Sequence, residues 1–255
     1  MSGAGRGIGR AIALRLADLG ADLGVNYWHS EDGAKEVVAE VERRGCRGIL
    51  LPGDVAEERV VDEVVAKMTS TFGRIDFLVN NAGGSSGSKT DNPIDEAVVA
   101  DWNRVLAVNL TAAFLATRAV APVMLRQRSG RIVNISSICA VTGDCGPAYS
   151  AAKAGLLGLT RHSAVWLAPH VQVNAVLPGF IDSTPHDPEK VAKITPGRRM
   201  GHPEDVADVV GYLVSSAQTF LTGACLTVDG SVTNGIIARS MDWDDVNARE
   251  RRLMG

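Results

Sequence analysis

Tyr149 and Lys153 stand four residues apart in Tyr149-Ser150-Ala151-Ala152-Lys153. A helix through them sets a phenol and an ammonium on one face, with Cβ atoms about 5–6 Å apart. A free phenol titrates at about 10, and a nearby cation favours its ionised form, so the pair could pass a proton near neutral pH. Alone, such a pair is also a common surface arrangement. A second group is glycine-rich: Gly3, Gly7 and Gly9 give the spacing G-x-x-x-G-x-G at the head of a helix. Glycine there permits a tight turn and lets backbone N–H groups approach a pyrophosphate at the positive helix end. The usual companion of this motif is a preceding strand, yet only Met1 and Ser2 precede it.

Other polar groups follow short apolar runs. Asp54 comes after Gly48–Leu51, Asn80-Asn81-Ala82-Gly83 after Ile75–Val79, Ser136-Ser137 after Arg131–Ile135, and Pro178-Gly179-Phe180-Ile181 after Val171–Leu177. With Ala21–Tyr27 and Ala224–Val228, these runs are bounded by Gly, Asn, Asp, Ser or Pro and predict strands. Helical stretches separate most of them. Ile8, Ile12, Leu16 and Leu19 fall at helical spacing before Gly20, and Glu36–Arg44 ends at Gly45. Short apolar strands with helical crossovers predict one doubly wound α/β domain, a parallel sheet covered by helices on both faces. Ligands of such sheets sit beyond the carboxyl ends of the strands, where these polar groups lie.

The 255 residues suit a single domain of this kind. At 45% hydrophobic and 22% charged, the chain is not of disordered composition. Lys and Arg number 26 against 29 Asp and Glu, a net charge of −3, which gives no field for nucleic acid or an anionic membrane. No uninterrupted apolar run approaches the ~20 residues of a membrane span, and no secretory signal is visible, so a cytoplasmic protein is expected. Cys46, Cys139, Cys145 and Cys225 are scattered without a C-x-x-C pair, and the five histidines form no cluster, so reduced thiols and no metal site are expected.

The glycine motif, the Asn80–Gly83 segment, Asn109, Ser136-Ser137 and the Tyr149–Lys153 pair occur in one order. Arg199-Met200-Gly201-His202-Pro203-Glu204-Asp205-Val206-Ala207 and the segment Leu221-Thr222-Gly223 to Val228-Asp229-Gly230 follow. On these motifs the chain, from Gly3 to about Val232, resembles the compact form of the short-chain dehydrogenase/reductase family. It is most similar to 3-oxoacyl-acyl-carrier-protein reductase-like ketoreductases. The resemblance implies a Rossmann-type sheet binding NAD(P), with Gly3, Arg6, Gly7, Ile8 and Gly9 at the pyrophosphate. Asp54 and Val55 would flank the adenine, Asp54 accepting from its amino group. Asn81, Ala82 and Gly83 would line the ribose, and Gly179 and Ile181 the nicotinamide carboxamide.

The implied reaction moves a hydride between the nicotinamide and a small-molecule ketone or secondary alcohol. Tyr149 would be the acid/base, Lys153 would lower its pKa and bind the ribose, and Asn109 would hold a water that relays protons. The family's serine is the second of an Ile-Ser-Ser motif and lies thirteen residues before the tyrosine. Ser137 satisfies the motif and Ser136 the count; a deletion in the Ile138–Ala148 loop favours Ser137. Cofactor choice follows from charge: Asn26-Tyr27-Trp28-His29-Ser30 holds no carboxylate until Glu31, and Arg6 could meet a 2′-phosphate. NADP(H) is therefore expected over NAD(H), with Tyr27 near it. The segment 182–199, with Pro185, Pro188 and Pro196, and Thr142–Gly146 with Phe180 should border the substrate, and no arginine cluster marks an anionic pocket. A homotetramer or homodimer is implied. The alternatives are a catalytically impaired fragment or a non-catalytic NAD(P)-binding protein; intact Tyr149, Lys153 and Asn109 argue against the latter.

Two departures from the family stand out. The first central strand is apparently missing, with Met1-Ser2 in its place. About four buried aliphatic side chains at ~1.5–3 kcal/mol each would be lost, comparable to a typical net stability of ~5–15 kcal/mol. The expectation is a native start upstream of Met1. Secondly, residues 233–255 extend beyond the 1–232 domain and include Asp242-Trp243-Asp244-Asp245, a frayed tail or an arm packing on a neighbouring subunit.

Overall fold

The strands form where short apolar runs end in turn residues, and helices form between them. The computed structural model describes residues 1–84, 94, 97–142, 145–183, 186–215 and 220–236. The extension from residue 237 onward, with Trp243, lies outside them. In chain order the elements are α1 (Gly7–Asp18), β1 (Leu23–Tyr27), α2 (Glu31–Arg43), β2 (Gly48–Pro52), α3 (Glu58–Phe72), β3 (Phe77–Asn80), α4 (Val99–Leu106), α5 (Ala112–Gln127), β4 (Gly130–Ile135), α6 (Pro147–Leu167), β5 (Val171–Pro178), α7 (Pro188–Ile194), α8 (Pro203–Ser215) and β6 (Cys225–Val228). Helix α2 starts five residues earlier than its apolar periodicity suggests. Glu31 and Asp32 occupy its first turn, where carboxylates favour the positive helix end.

All strand pairs are parallel: β1 with β2, and β3-β4-β5-β6 in that order. Helices α1, α2 and α8 cover one face, burying Ile12, Leu16, Val37, Val41, Val206 and Val210 against Val25 and Val176. On the other face Val120, Met124 and Leu167 pack on Ile132 and Val173. Each such fully buried side chain contributes about 1.5–3 kcal/mol. Val99–Gln127 is one continuous helical stretch, long and apolar enough by composition to cross a membrane, which a search for uninterrupted apolar runs misses. Its contacts with α3, β3, β4 and α6 make it a helix of this core.

Among the described residues no strand lies between β1 and β3. Met1 and Ser2 join the two sheets there. The Met1 amine donates to the Gly24 carbonyl at 2.7 Å, Asn26 N–H donates to the Met1 carbonyl at 3.0 Å, and Ser2 N–H donates to the Val79 carbonyl at 3.1 Å. Behind Met1 a cavity of about 590 Å³ opens between the strands, lined by Leu16, Leu23, Phe72, Phe77, Val79 and Val214. The carboxyl ends of β1, β3, β4 and β5 nonetheless stand side by side, and they carry the polar groups described next.

Candidate active site

Ser136-Ser137 directly follow β4, and continued extended alternation sends the two side chains to opposite sides. The Ser136 hydroxyl donates to the Lys153 carbonyl at 2.9 Å and so clamps the strand end to α6. The Ser137 hydroxyl instead hydrogen-bonds the Tyr149 phenol and accepts from the Cys139 N–H at 3.2 Å. The serine that the motif names, not the one that the residue count names, thus lies beside the phenol. Ser137→Ala is expected to lower kcat about 10²-fold, the loss typical of one preorganised hydrogen-bond donor. Ser136→Ala should lower stability with a smaller change in kcat; steady-state rates of the two variants that ranked in the opposite order would reverse the assignment.

Helix α6 opens at Gly146 with Pro147 in its first turn, where a missing N–H costs nothing. Tyr149 and Lys153 lie one turn apart on its inner face. The Lys153 ammonium donates to the Ile135 carbonyl at 2.9 Å and lies 5.5 Å from the centre of the Tyr149 ring. Burial pushes Lys153 down to about 8. The expectation that Lys153 lowers the phenol's pKa is not met in this geometry. Burial raises the Tyr149 pKa as the dominant effect, and the Ser137 hydrogen bond pulls it back. The ammonium faces the β4 carbonyl and not the phenol oxygen, so its charge is directed elsewhere.

Asn109 sits in a π-helical turn, Ala107–Thr111, between α4 and α5. One extra residue per turn is a local distortion that often accompanies function. Its amide donates to the Gly84 and Val105 carbonyls, both at 2.9 Å, and accepts from the Gly84 N–H at 3.0 Å. It therefore pins the segment after β3 against the helix that carries it. A Cβ on Gly83 would lie 2.4 Å from the Asn109 oxygen and 3.3 Å from the Lys153 nitrogen, so Gly83, Asn109 and Lys153 meet at one point.

The glycine turn is demanded by close packing. Gly3 and Gly7 have φ of 63° and 51°, in the left-handed region, and a Cβ on Gly9 would fall 2.0 Å from the Gly3 carbonyl oxygen. Asn81 holds this turn, donating to the Ser2 and Gly3 carbonyls at 3.2 and 2.9 Å, while Ser2 Oγ accepts from the Asn81 and Ala82 N–H groups. No side chain caps the start of α1 at Arg6. The first N–H groups of α1, beginning at Gly7, Ile8 and Gly9, therefore fit an anion, and Arg6 is exposed beside them.

Asp54 and Val55 follow β2 and are buried. One Asp54 oxygen is paired with Arg104 at 2.8 Å, and the other accepts from the Ala56 N–H at 3.0 Å. Arg104 was not legible from spacing, because the fifty-residue separation closes only in the fold. Asn26 is buried, its amide donating to the Leu51 and Gly53 carbonyls, while Tyr27 is half-buried. Gly179 packs against Asp229, where a Cβ would come within 2.6 Å, and the buried Ile181 bridges to Gly201.

Two further features escaped the sequence. Asn80, at the end of β3, is buried in a polar chain: its amide donates to Asn134 at 2.8 Å, the Asn134 amide donates to Thr160 at 2.8 Å, and Thr160 donates to the Leu156 carbonyl. Such a chain ties β3, β4 and α6 together with each polar group satisfied. The expectation of four reduced thiols is also corrected: Cys139 and Cys145 form a disulfide, and only Cys46 and Cys225 are free. Cys139 lies in a 3₁₀ turn, Ile138–Ala140, and its Cα atom stands 5.8 Å from that of Cys145.

A phenol, a hydroxyl and a buried ammonium thus gather beside a glycine turn and an uncapped helix start. The chain matches the family model described as Enoyl-(Acyl carrier protein) reductase over residues 3–233. It is 42% identical over 238 residues to the 3-oxoacyl-acyl-carrier-protein reductase of Synechocystis sp., covering 91% of this chain and 95% of that protein. To the enzyme of the same name from Staphylococcus epidermidis it is 38% identical over 240 residues, 91% of this chain and 97% of that one. Among solved structures, the acetoin dehydrogenase of Enterobacter cloacae superposes with a TM-score of 0.84 at 34% identity, covering 91% of this chain and 94% of that one. That of Salmonella typhimurium gives 0.84 at 30% identity, with 92% and 94% covered.

Proposed function

Because the chain belongs to the short-chain dehydrogenase/reductase family and is an NAD(P)-dependent oxidoreductase, we infer that it moves a hydride between NADP(H) and a ketone or secondary alcohol, with Tyr149 as acid/base. The observation that carries this reading is the Ser137–Tyr149 hydrogen bond beside the buried Lys153. Two hydroxyls that converge on one point suit a carbonyl oxygen. Resemblance to reductases of carrier-bound 3-oxoacyl groups makes a 3-oxoacyl thioester the first substrate to try.

When bound, the nicotinamide supplies the hydride to the carbonyl carbon. The raised pKa of Tyr149 keeps the phenol protonated at neutral pH, so it can give its proton to the developing alkoxide. Ser137 donates to the same oxygen, as an oxyanion donor does. Lys153, at about 8, still carries its charge at neutral pH, and that charge is assigned to holding the nicotinamide ribose rather than to the phenol. Asn109 fixes the Gly83–Gly84 backbone over the lysine.

The preference for NADP(H) rests on charge at the end of β1. The first carboxylate there, Glu31, is paired with Lys35 at 2.8 Å, which offsets its repulsion of a 2′-phosphate. Exposed Arg6 is free to turn towards it. The ratio of kcat/KM for NADPH over NADH is expected to be about tenfold or more, one strong charge-assisted contact, and Arg6→Ala should erase most of it. A preference for NADH in the unaltered protein would overturn the assignment. The same reading includes self-association through α5 and α6, which expose Phe114, Val165 and Trp166; a single-chain mass by light scattering would count against it.

A further inference from the structure

We propose that Cys139 and Cys145 are a reversible redox site through which a low-molecular-weight thiol/disulfide couple of the glutathione class sets the geometry of the Ser137–Tyr149 pair. The two sulfurs are bonded, and their Cα atoms lie 5.8 Å apart, within the range a disulfide spans. Their placement is what gives the bond leverage. Cys139 follows the candidate catalytic serine by two residues, and its backbone N–H is a donor to the Ser137 oxygen. Cys145 immediately precedes Gly146-Pro147, where α6 begins, and its carbonyl accepts from Ser150, the neighbour of Tyr149. The bond therefore ties the end of β4 to the start of the helix that carries the phenol and the ammonium. Apart from the backbone between them, no second disulfide among the described residues joins these two segments.

The two sulfurs differ in access: Cys139 is buried, whereas Cys145 is half-buried. Oxidation begins at the more accessible thiol. The Cys145 thiolate attacks one sulfur of oxidised glutathione, forming a mixed disulfide and expelling one glutathione thiolate. The Cys139 thiolate then attacks the Cys145 sulfur and expels the second. Two cysteine thiols are oxidised, one glutathione disulfide is reduced to two thiols, and the two cysteine protons go to solvent or to the leaving thiolates. Excess reduced glutathione runs the same steps backwards. In the oxidised form the seven-residue ring holds the Cys139 N–H on Ser137, and through it Ser137 on Tyr149. In the reduced form that tie is released and the pair is held less closely.

The effect on rate rests on the proposed role of Ser137 and Tyr149, so the experiment reads thiols and turnover separately. The full-length protein is equilibrated against glutathione buffers of varied redox ratio. Free thiols are counted, and NADPH-dependent ketone reduction is measured. Two thiols are expected under oxidising buffer and four under reducing buffer, with kcat about tenfold lower in the reduced form, as loosening of a reacting geometry produces. The pH profile of alcohol oxidation adds a second reading: reduction should move its acidic limb to higher pH, because the Ser137 hydrogen bond that favours the phenolate is weakened. Cys145→Ser, with three thiols at most, should show the kcat and pH profile of the reduced form in every buffer, and Cys46→Ser/Cys225→Ser should keep the full response. Four thiols in all buffers, or two thiols with kcat and profile unchanged, would overturn the proposal. A protein that cycles between two and four thiols but reduces no carbonyl in either state would instead count against the proposed function.

Discussion

Tyr149→Phe is expected to lower kcat for carbonyl reduction about 10³-fold, within the range that a positioned acid/base group supplies. The substitution removes one oxygen and leaves the ring in its largely buried place on α6, so folding is little disturbed. The glycine turn and the start of α1 are untouched, so the affinity for NADPH, read by nicotinamide fluorescence, should change less than about twofold, under half of the ~1.4 kcal/mol that a tenfold change represents. The remaining rate should also lose the alkaline decline that a titrating phenol imposes on reduction. Since burial raises the Tyr149 pKa, that decline lies well above neutral pH. If Tyr149→Phe keeps a tenth or more of the rate, the proton comes from another group and the assignment fails.

Lys153→Met should separate activity from stability. The lysine is buried, and its pKa of about 8, against an ordinary 10.5, means that the folded state penalises its charge. The sign follows from proton counting. Below pH 8 both folded and unfolded forms are protonated, and the penalty is present in full, on the order of 3 kcal/mol at 1.36 kcal/mol per pH unit. Between about 8 and 10.5 the unfolded state binds more protons than the folded one, so stability rises with pH and the penalty is relieved. Methionine fills a similar volume without charge but leaves the Ile135 carbonyl without its donor, which costs about 1–3 kcal/mol. The balance favours the variant slightly at pH 7, and its stability should lose the rise between pH 8 and 10.5. Its kcat should fall about 10²- to 10³-fold, because the proposed hold of the ammonium on the nicotinamide ribose is lost and the reacting groups are no longer kept in register. Urea unfolding at pH 7 and pH 10 together with steady-state rates measures both; a variant as active as the parent, or one whose stability still climbs through that window, defeats the argument.

Most of the fold was legible because its periodicities are local. The apolar runs before Asp54, Asn80, Ser136 and Pro178 end within a residue or two of β2, β3, β4 and β5. The glycine spacing placed the start of α1, since a Cβ at Gly9 collides with the Gly3 carbonyl whatever surrounds it. Less legible were partners that lie far apart in sequence. Arg104 reaches Asp54 across fifty residues, and Asn80 reaches Asn134 and then Thr160 across three elements. Asparagine after a strand reads equally as a turn or as a buried link, and only the packing of α5 and α6 on the sheet separates the two. The disulfide is illegible for a similar reason: two cysteines six residues apart meet only if the chain between them doubles back, which their spacing does not state.

By itself the sequence determined which residue types could do the chemistry and in what order they occur. A phenol and an ammonium four apart, a serine pair at a strand end and a glycine turn are properties of short segments, and short-range sterics set their conformations. The tertiary structure decided what those groups face. Strand alternation turned Ser136 into the α6 backbone and Ser137 onto the phenol. Burial, a property of the whole fold, lowered the lysine and raised the tyrosine, against the expectation that the ammonium would lower the phenol's pKa. Charge and proton affinity depend on the dielectric and on partners brought together from distant segments, and no local spacing encodes them.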